Sequence, residues 1–343
     1  MISDAAQDKS LKFAESELSE ALNMSLDALS GNQYIVLAKK ELDLSNKLLR
    51  TVSTVIALTT TLVNVVDNYS DNKLVTQLIS DATALNDFSG IDWFNVQLLD
   101  TFLPLSVILL MHEFGHILVA KRDNFEITSP TMLPMYILPN LGLTTGIKTL
   151  PKSLASLFDF AFIGPFMGMF TSLIFLALGA SLTTGADPEA LKLFPTVPLG
   201  TLQLSTLGAT ILDFLFGGKA VVTGGSPTSA IALHPFALAG FAGFMINSLQ
   251  LLPIGSTDGG RMSQAIFRRV GHRTVSGVTW FVMLVVSFFP TADVLTAAWL
   301  ISSLANGDMV EPCREEVDDV GFIRYGLAFV LWSAAFLAVV PMT

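Results

Sequence analysis

Cysteine, charge and basic side chains are all scarce in this chain of 343 residues, and each shortage narrows what it can be. The single cysteine, Cys313, excludes an intramolecular disulfide and any zinc site built from thiolates. It lies in the polar stretch EPCREEVDD and reads as an incidental thiol. Charged residues make up 14% of the chain, against about 25% in soluble domains. With 51% hydrophobic residues, the composition is that of a membrane protein. Basic residues number 19 against 29 acidic ones, and the net charge of -10 argues against a nucleic-acid partner. Internal repeats and low-complexity tracts are absent. The N-terminus, MISDAAQDKSLKF, has neither an apolar signal core nor the Arg-rich, acid-poor character of a transit peptide, so no targeting peptide is visible. Insertion through the first membrane helix and a processed or truncated chain both remain open.

What the chain does have is Leu110-Met111-His112-Glu113-Phe114-Gly115-His116-Ile117, an H-E-x-x-H motif inside an apolar run. From Thr101 to Ala120, twenty residues long enough to cross a bilayer as a helix, Glu113 is the only formal charge. On a helix, positions i and i+4 share a face, so His112 and His116 present two imidazoles to one point. Two neutral imidazoles and a third protein ligand hold Zn²⁺ with one position open for water, and a glutamate beside the first histidine can take that water's proton. Three ionisable groups in one span are costly without a function.

Around this stretch the chain reads as an all-α, polytopic membrane protein. Residues 1–50 form a soluble extension, in which Phe13, Leu18, Leu22, Leu26 and Leu29 have the spacing of an amphipathic helix. A membrane-embedded domain over 51–343 follows. Thr51–Val66 is a first, threonine-rich span. Lys47 and Arg50 before it and Lys121-Arg122 after the second span place those ends on the cytosol-like side. Residues 128–150 are apolar but broken by Pro130, Pro134 and Pro139, which predicts two short extended segments about a turn at Pro139-Asn140-Leu141-Gly142. Such backbone must line protein or a water-filled cavity. Phe158–Leu182 is a third span, interrupted at Ile163-Gly164-Pro165-Phe166-Met167-Gly168, where the two glycines let another helix come close. Thr201–Gly218 reads as an interfacial or re-entrant helix, because a crossing there would leave Arg261, Arg268, Arg269 and Arg273 on the outer side. Apolar stretches at 234–254, 275–289, 291–304 and 321–340 complete the membrane portion.

A third ligand must reach the depth and side of His112 and His116. His234 lies at the outer mouth of its span, and His272 sits among arginines. Asp258 follows an apolar run on the correct side and is followed by Gly259 and Gly260, and a buried aspartate needs the compensation a divalent cation supplies.

The order PLSVILLMHEFGHILVAKR, LPNLG, GPFMG, HPFALAG, LLPIG and DGGR resembles the site-2 protease family of intramembrane zinc metalloproteases, in particular its EGY-type branch of plastids and cyanobacteria. The resemblance covers about residues 50–340. It implies a site-2-protease-like helical core with a short re-entrant β-hairpin, one catalytic Zn²⁺ held by His112, His116 and Asp258, and Glu113 as catalytic base. It implies regulated cleavage of membrane protein substrates with transmembrane helices in a plastid or cyanobacterial bilayer. Gly164, Pro165, Pro253 and Gly259 stand as structural residues of its motifs. The branch usually has asparagine three residues before the proline of LLP. Here that position is Gln250, with Asn247 one helical turn earlier, and the resemblance assigns such an amide to substrate or transition-state contact. Thr257 stands where the branch has leucine. A metal-retaining scaffold without proteolysis is the alternative reading, supported by Gln250.

Overall fold

The computed structural model describes residues 24–29, 32–37, 47–135, 140, 142–288, 293–306 and 310–342. Its elements are β1 (Met24–Leu29), β2 (Asn32–Leu37), α1 (Lys47–Asp67), α2 (Lys73–Leu85), α3 (Asp92–Asp123), β3 (Thr131–Met132), β4 (Leu143–Thr144), α4 (Leu154–Gly185), α5 (Pro188–Leu193), β5 (Thr196–Pro198), α6 (Leu199–Leu202), α7 (Thr206–Leu215), β6 (Ala230–Ala232), α8 (Pro235–Gln250), α9 (Asp258–Val286), α10 (Asp293–Asn306) and α11 (Phe322–Val339). The described residues form a helical protein with three small antiparallel pairs, β1–β2, β3–β4 and β5–β6.

The N-terminal extension departs from expectation. Met24–Leu29, within the stretch read as an amphipathic helix, is a strand paired antiparallel with Asn32–Leu37. Tyr34, Ile35 and Val36 on the partner strand are aromatic and β-branched, types that favour an extended backbone over a helix. The earlier positions, Phe13 to Leu22, lie outside the described residues.

Among the described residues, α3, α4 and α11 are long and apolar enough to cross a membrane. The 32 residues of α3 or of α4 rise about 48 Å, more than the roughly 30 Å of a hydrocarbon core. Their burial is the reverse of a soluble helix. On α3, Leu103, Val107, Leu110, Phe114 and Leu118 form an exposed apolar stripe, while His112, Glu113 and His116 point inward. Phe166, Phe170, Ile174, Leu178 and Leu182 do the same on α4, each four residues from the last. Exposed apolar stripes of this extent belong against lipid. α1 is helical over the expected first span but is not among these three. The ten residues of α7 rise about 15 Å, too little to cross, which suits an interfacial or re-entrant position.

At the centre, α3, α4 and α8 pack on one another. α8 starts with Pro235 in its first turn, where a missing N–H costs nothing, and it ends ahead of Pro253. Every residue of α8 except Phe236 is buried, so it is the axis round which the others stand. α4 runs unbroken through Pro165, contrary to the expected interruption. The loss of one backbone donor is tolerated there because neighbouring helices hold the turn. α11 and α9 close the far side of α4, with Leu157, Phe158, Ala161, Met262, Ala265, Ala328 and Ala335 in one core.

The expected hairpin is present. Thr131 and Met132 pair with Thr144 and Leu143, and Ile127 bridges Ile147. Asn140 Oδ1 accepts from the Gly142 N–H at 2.8 Å, and Gly142 takes φ 90°, a left-handed conformation that glycine alone adopts without strain. The rest of the expected turn, Pro139 and Leu141, lies outside the described residues. α1 covers the β3 side, with Ser53 Oγ donating to the Met132 carbonyl at 2.9 Å.

Candidate metal centre

His112 and His116 lie one turn apart on α3, both buried, with their Nε2 atoms 3.0 Å apart. Their other ring nitrogens are committed. His112 Nδ1 is 2.7 Å from Asn247 Oδ1, and His116 Nδ1 is 2.9 Å from the Phe160 carbonyl oxygen. Both partners accept, since Asn247 spends its Nδ2 donor on the Gly243 carbonyl at 2.7 Å. Each Nδ1 therefore carries the proton, and each Nε2 presents a bare lone pair. Asp258 Oδ2 completes the group, 3.3 Å from His112 Nε2 and 3.4 Å from His116 Nε2.

With both imidazoles neutral in this tautomer, three acceptors converge in a buried space. That arrangement is repulsive unless a cation sits at its centre. Size agrees with chemistry. Ligands about 2.0–2.2 Å from a tetrahedral zinc stand roughly 3.3–3.6 Å from one another, and the sides here are 3.0, 3.3 and 3.4 Å. The residues fit a zinc ion with two imidazoles and one carboxylate. Their supports are the partners such ligands need to stay oriented.

Asp258 is delivered by a helix start. Thr257 caps α9, its Oγ1 accepting from the Gly260 N–H at 3.0 Å and donating to the Leu252 carbonyl at 2.7 Å. Gly259 lies so close to this loop that an added Cβ would stand 1.9 Å from the Leu251 carbonyl oxygen. Ser276 Oγ bridges the loop, accepting from the Gly255 N–H at 3.0 Å and donating to the Pro253 carbonyl at 3.1 Å. On the far side of the carboxylate, Arg261 Nη1 stands 3.3 Å from Asp258 Oδ1, and Arg261 Nη2 pairs with Glu311 Oε1 at 2.7 Å. The acidic stretch after α10 is therefore tied to α9. Arg269 pairs with Glu316, and the Arg268 guanidinium takes the carbonyls of Glu316, Val317 and Asp318. Cys313 is buried within this stretch, and burial, followed by the charge of Glu316, pushes its thiol far up, which leaves it inert.

Two glycines of α4 make room for the ligands. A Cβ at Gly164 would lie 2.4 Å from His116 Nε2, and one at Gly168 would lie 2.1 Å from Asn247 Oδ1. The GPFMG motif is thus a slot that receives the metal-facing edge of His116 at one end and the amide that orients His112 at the other. Pro165, between them, is buried within α4.

Glu113 is buried beside the histidines, with a carboxylate oxygen within 4.8 Å of their ring nitrogens. Thr145 Oγ1 donates to its Oε2 at 2.6 Å, while Oε1 has no hydrogen-bond partner among the described residues. A free oxygen on an otherwise anchored carboxylate is positioned to take a proton from a neighbouring water.

The structure separates the two amides that the resemblance put at the substrate. Asn247 supports the ligand set, its Oδ1 held at His112 and one Nδ2 hydrogen spent on the Gly243 carbonyl. Gln250 lies beside the hairpin, where a Cβ on Gly142 would come 3.4 Å from its Nε2. His234 caps α8, with Nδ1 accepting from the Phe236 N–H at 3.1 Å. Reasoning from sequence did not single out Thr145, Arg261 as a partner of Asp258, Glu311, or the Phe160 carbonyl. Only the aspartate-to-arginine spacing of three on a helix gave any signal, for the Asp258–Arg261 contact.

Helices that expose apolar stripes and enclose an H-E-x-x-H centre define a membrane-embedded protein with a metallopeptidase-like site. Residues 101–290 match Peptidase family M50, and the chain belongs to that family. It is 28% identical over 248 residues to the probable zinc metalloprotease EGY1, chloroplastic, of Arabidopsis thaliana, covering 71% of this chain and 43% of that protein. Identity to the Oryza sativa subsp. japonica protein of the same name is 25% over 236 residues, 68% of this chain and 39% of the relative. To the probable zinc metalloprotease EGY2, chloroplastic, of Arabidopsis thaliana it is 27% over 247 residues, 70% and 42%. The chain thus spans about two-fifths of the length of these relatives. No solved structure matches it.

Proposed function

We propose that the chain is a zinc-dependent intramembrane endopeptidase that cuts membrane-embedded protein substrates. The observation that carries this reading is the meeting of two imidazole Nε2 atoms and a carboxylate oxygen beside Oε1 of Glu113. His112, His116 and Asp258 would hold one Zn²⁺. A bound zinc ion supplies Lewis acidity that polarises a carbonyl and acidifies water. Glu113 takes the proton of the attacking water at Oε1 and later returns it to the departing amine. Asn247 and the Phe160 carbonyl hold the imidazoles in the tautomer that exposes Nε2.

A substrate helix hides its carbonyls in i to i−4 bonds and must unwind before attack. The β3–β4 hairpin supports this step, since an unwound segment can be held by strand addition. Gln250, beside Gly142, would contact it there. The names of the chloroplastic relatives support a plastid membrane, and the role proposed there is regulated intramembrane proteolysis.

The test compares purified wild-type protein with Glu113→Gln on a labelled transmembrane substrate. The variant should keep its zinc, because all three ligands remain, and lose about 10²–10⁴-fold in cleavage rate. Normal cleavage by the variant would refute the mechanism. A zinc-loaded wild type inactive on several membrane substrates would favour a scaffold and point to Gln250.

A further inference from the structure

The hairpin does more than border the site, because one of its side chains holds the catalytic carboxylate. Thr145 immediately follows β4 and is buried. Side chains two apart on an extended segment share a face. Leu143 packs toward Leu105 and Leu109 of α3, and Thr145 faces α3 as well, one turn further along at Glu113. Thr144, between them, turns the other way, its Oγ1 donating to the Thr131 carbonyl at 3.3 Å. The alternation therefore commits the Thr145 hydroxyl to the active site and leaves Thr144 to knit the hairpin.

A glutamate side chain has three rotatable bonds, and a buried carboxylate without a partner is free to turn toward whichever donor is nearest. Among the described hydrogen bonds, Glu113 makes a single one, from Thr145 Oγ1 at 2.6 Å to Oε2, and Oε1 has none. We infer that Thr145 is a positioning residue that fixes the Glu113 carboxylate with Oε1 toward the reacting water, and that it thereby ties the setting of the base to the hairpin. This rests on the protease reading above and adds a link to it. The hairpin on which a substrate strand would dock carries the group that aims the base, so both are set by one piece of backbone. That backbone is itself anchored next to Thr145. The Gly146 N–H donates to Thr128 Oγ1 at 2.8 Å, and the Thr128 N–H donates to the Gly146 carbonyl at 2.8 Å.

The test uses the full chain loaded with zinc, as wild type, Thr145→Val, Thr145→Ser and Glu113→Gln. Valine keeps the shape and branching of threonine and removes only the hydroxyl, whereas serine keeps the hydroxyl. Zinc content and thermal unfolding are measured on all four before cleavage of a labelled transmembrane substrate. We expect Thr145→Val to retain full zinc and to melt no more than a few degrees below wild type, with kcat lowered about 10–100-fold at constant KM, the usual range for losing a hydrogen bond to a charged group. Thr145→Ser should recover most of that loss. A Thr145→Val protein with wild-type kcat would overturn the inference, as would a serine variant as impaired as the valine one. Loss of zinc from Thr145→Val, or failure of that variant to fold, would also overturn it, by showing a structural role. Zinc-loaded wild type that cuts nothing would instead bring down the protease reading and this inference with it. Active wild type with an indifferent Thr145→Val would bring down this inference alone.

Discussion

Adding one methyl group at Gly164 should dismantle the metal centre without touching a ligand. The new Cβ of Gly164→Ala would stand 2.4 Å from His116 Nε2 and 2.6 Å from Cε1, where ordinary contact begins at about 3.5 Å. The imidazole must therefore retreat by about 1 Å, and metal–ligand distances tolerate only about 0.2 Å. Retreat along the ring plane is resisted by the 2.9 Å bond from Nδ1 to the Phe160 carbonyl and by the Phe160 ring, 4.4 Å away centroid to centroid. Changes to outer partners of metal ligands cost about 10–100-fold in affinity, and displacing a ligand itself should exceed that. Zinc affinity, read by competition with a chromophoric chelator, should fall by at least about 100-fold, and cleavage with it. Gly277→Ala, on α9 with nothing within 4 Å of its Cβ, is the control and should bind zinc as the wild type does. If Gly164→Ala bound zinc as tightly as that control, the packing argument would be wrong.

Asn247→Ala removes the acceptor that sets the His112 tautomer, so zinc affinity should drop about 10–100-fold, measured by the same competition. Arg261→Met strips Glu311 of its cation in a buried place, which costs about 3–5 kcal/mol for a broken buried pair. Its thermal midpoint should therefore lie several degrees below that of the wild type. Asp213 gives a pH signature outside the metal centre. Burial works to raise its carboxyl, but hydrogen bonds from Thr223 Oγ1 and from the N–H groups of Val222 and Thr223 outweigh it and hold the group below its ordinary value. A lowered folded-state value means the stabilisation is present above the unfolded value of about 3.9 and is lost as the pH falls further. Asp213→Asn should therefore be less stable than wild type at neutral pH, and the gap should close below about pH 4 in thermal melts.

The chemistry at this site was legible because its strongest signals are local. Two histidines at i and i+4 with a glutamate between them need only a helix to meet, and an apolar run guarantees the helix. Asp258 was reachable by elimination and by its glycine neighbours, although it lies far along the chain. The hairpin was legible from its prolines. Supports made by backbone or by single polar side chains were not. Every residue has a backbone carbonyl like that of Phe160, and Thr145 is one threonine among many, so neither leaves a pattern. The contact of Asn247 with His112 was not legible either, because sequence gives no hint of which way an amide faces on an almost wholly buried helix. The continuity of α4 through Pro165 and the strand at Met24–Leu29 show tertiary and pairing contacts overriding local preference.

Mapping the cut most directly tests whether this site hydrolyses peptide bonds within the membrane. Zinc-loaded protein would be incubated with a transmembrane substrate in H₂¹⁸O and the products weighed by mass spectrometry. The account predicts a cut inside the substrate's apolar segment, one ¹⁸O in the new carboxyl group, and no product after zinc is removed by a chelator. A cut confined to the water-exposed flanks, or one that persists without zinc, would contradict it.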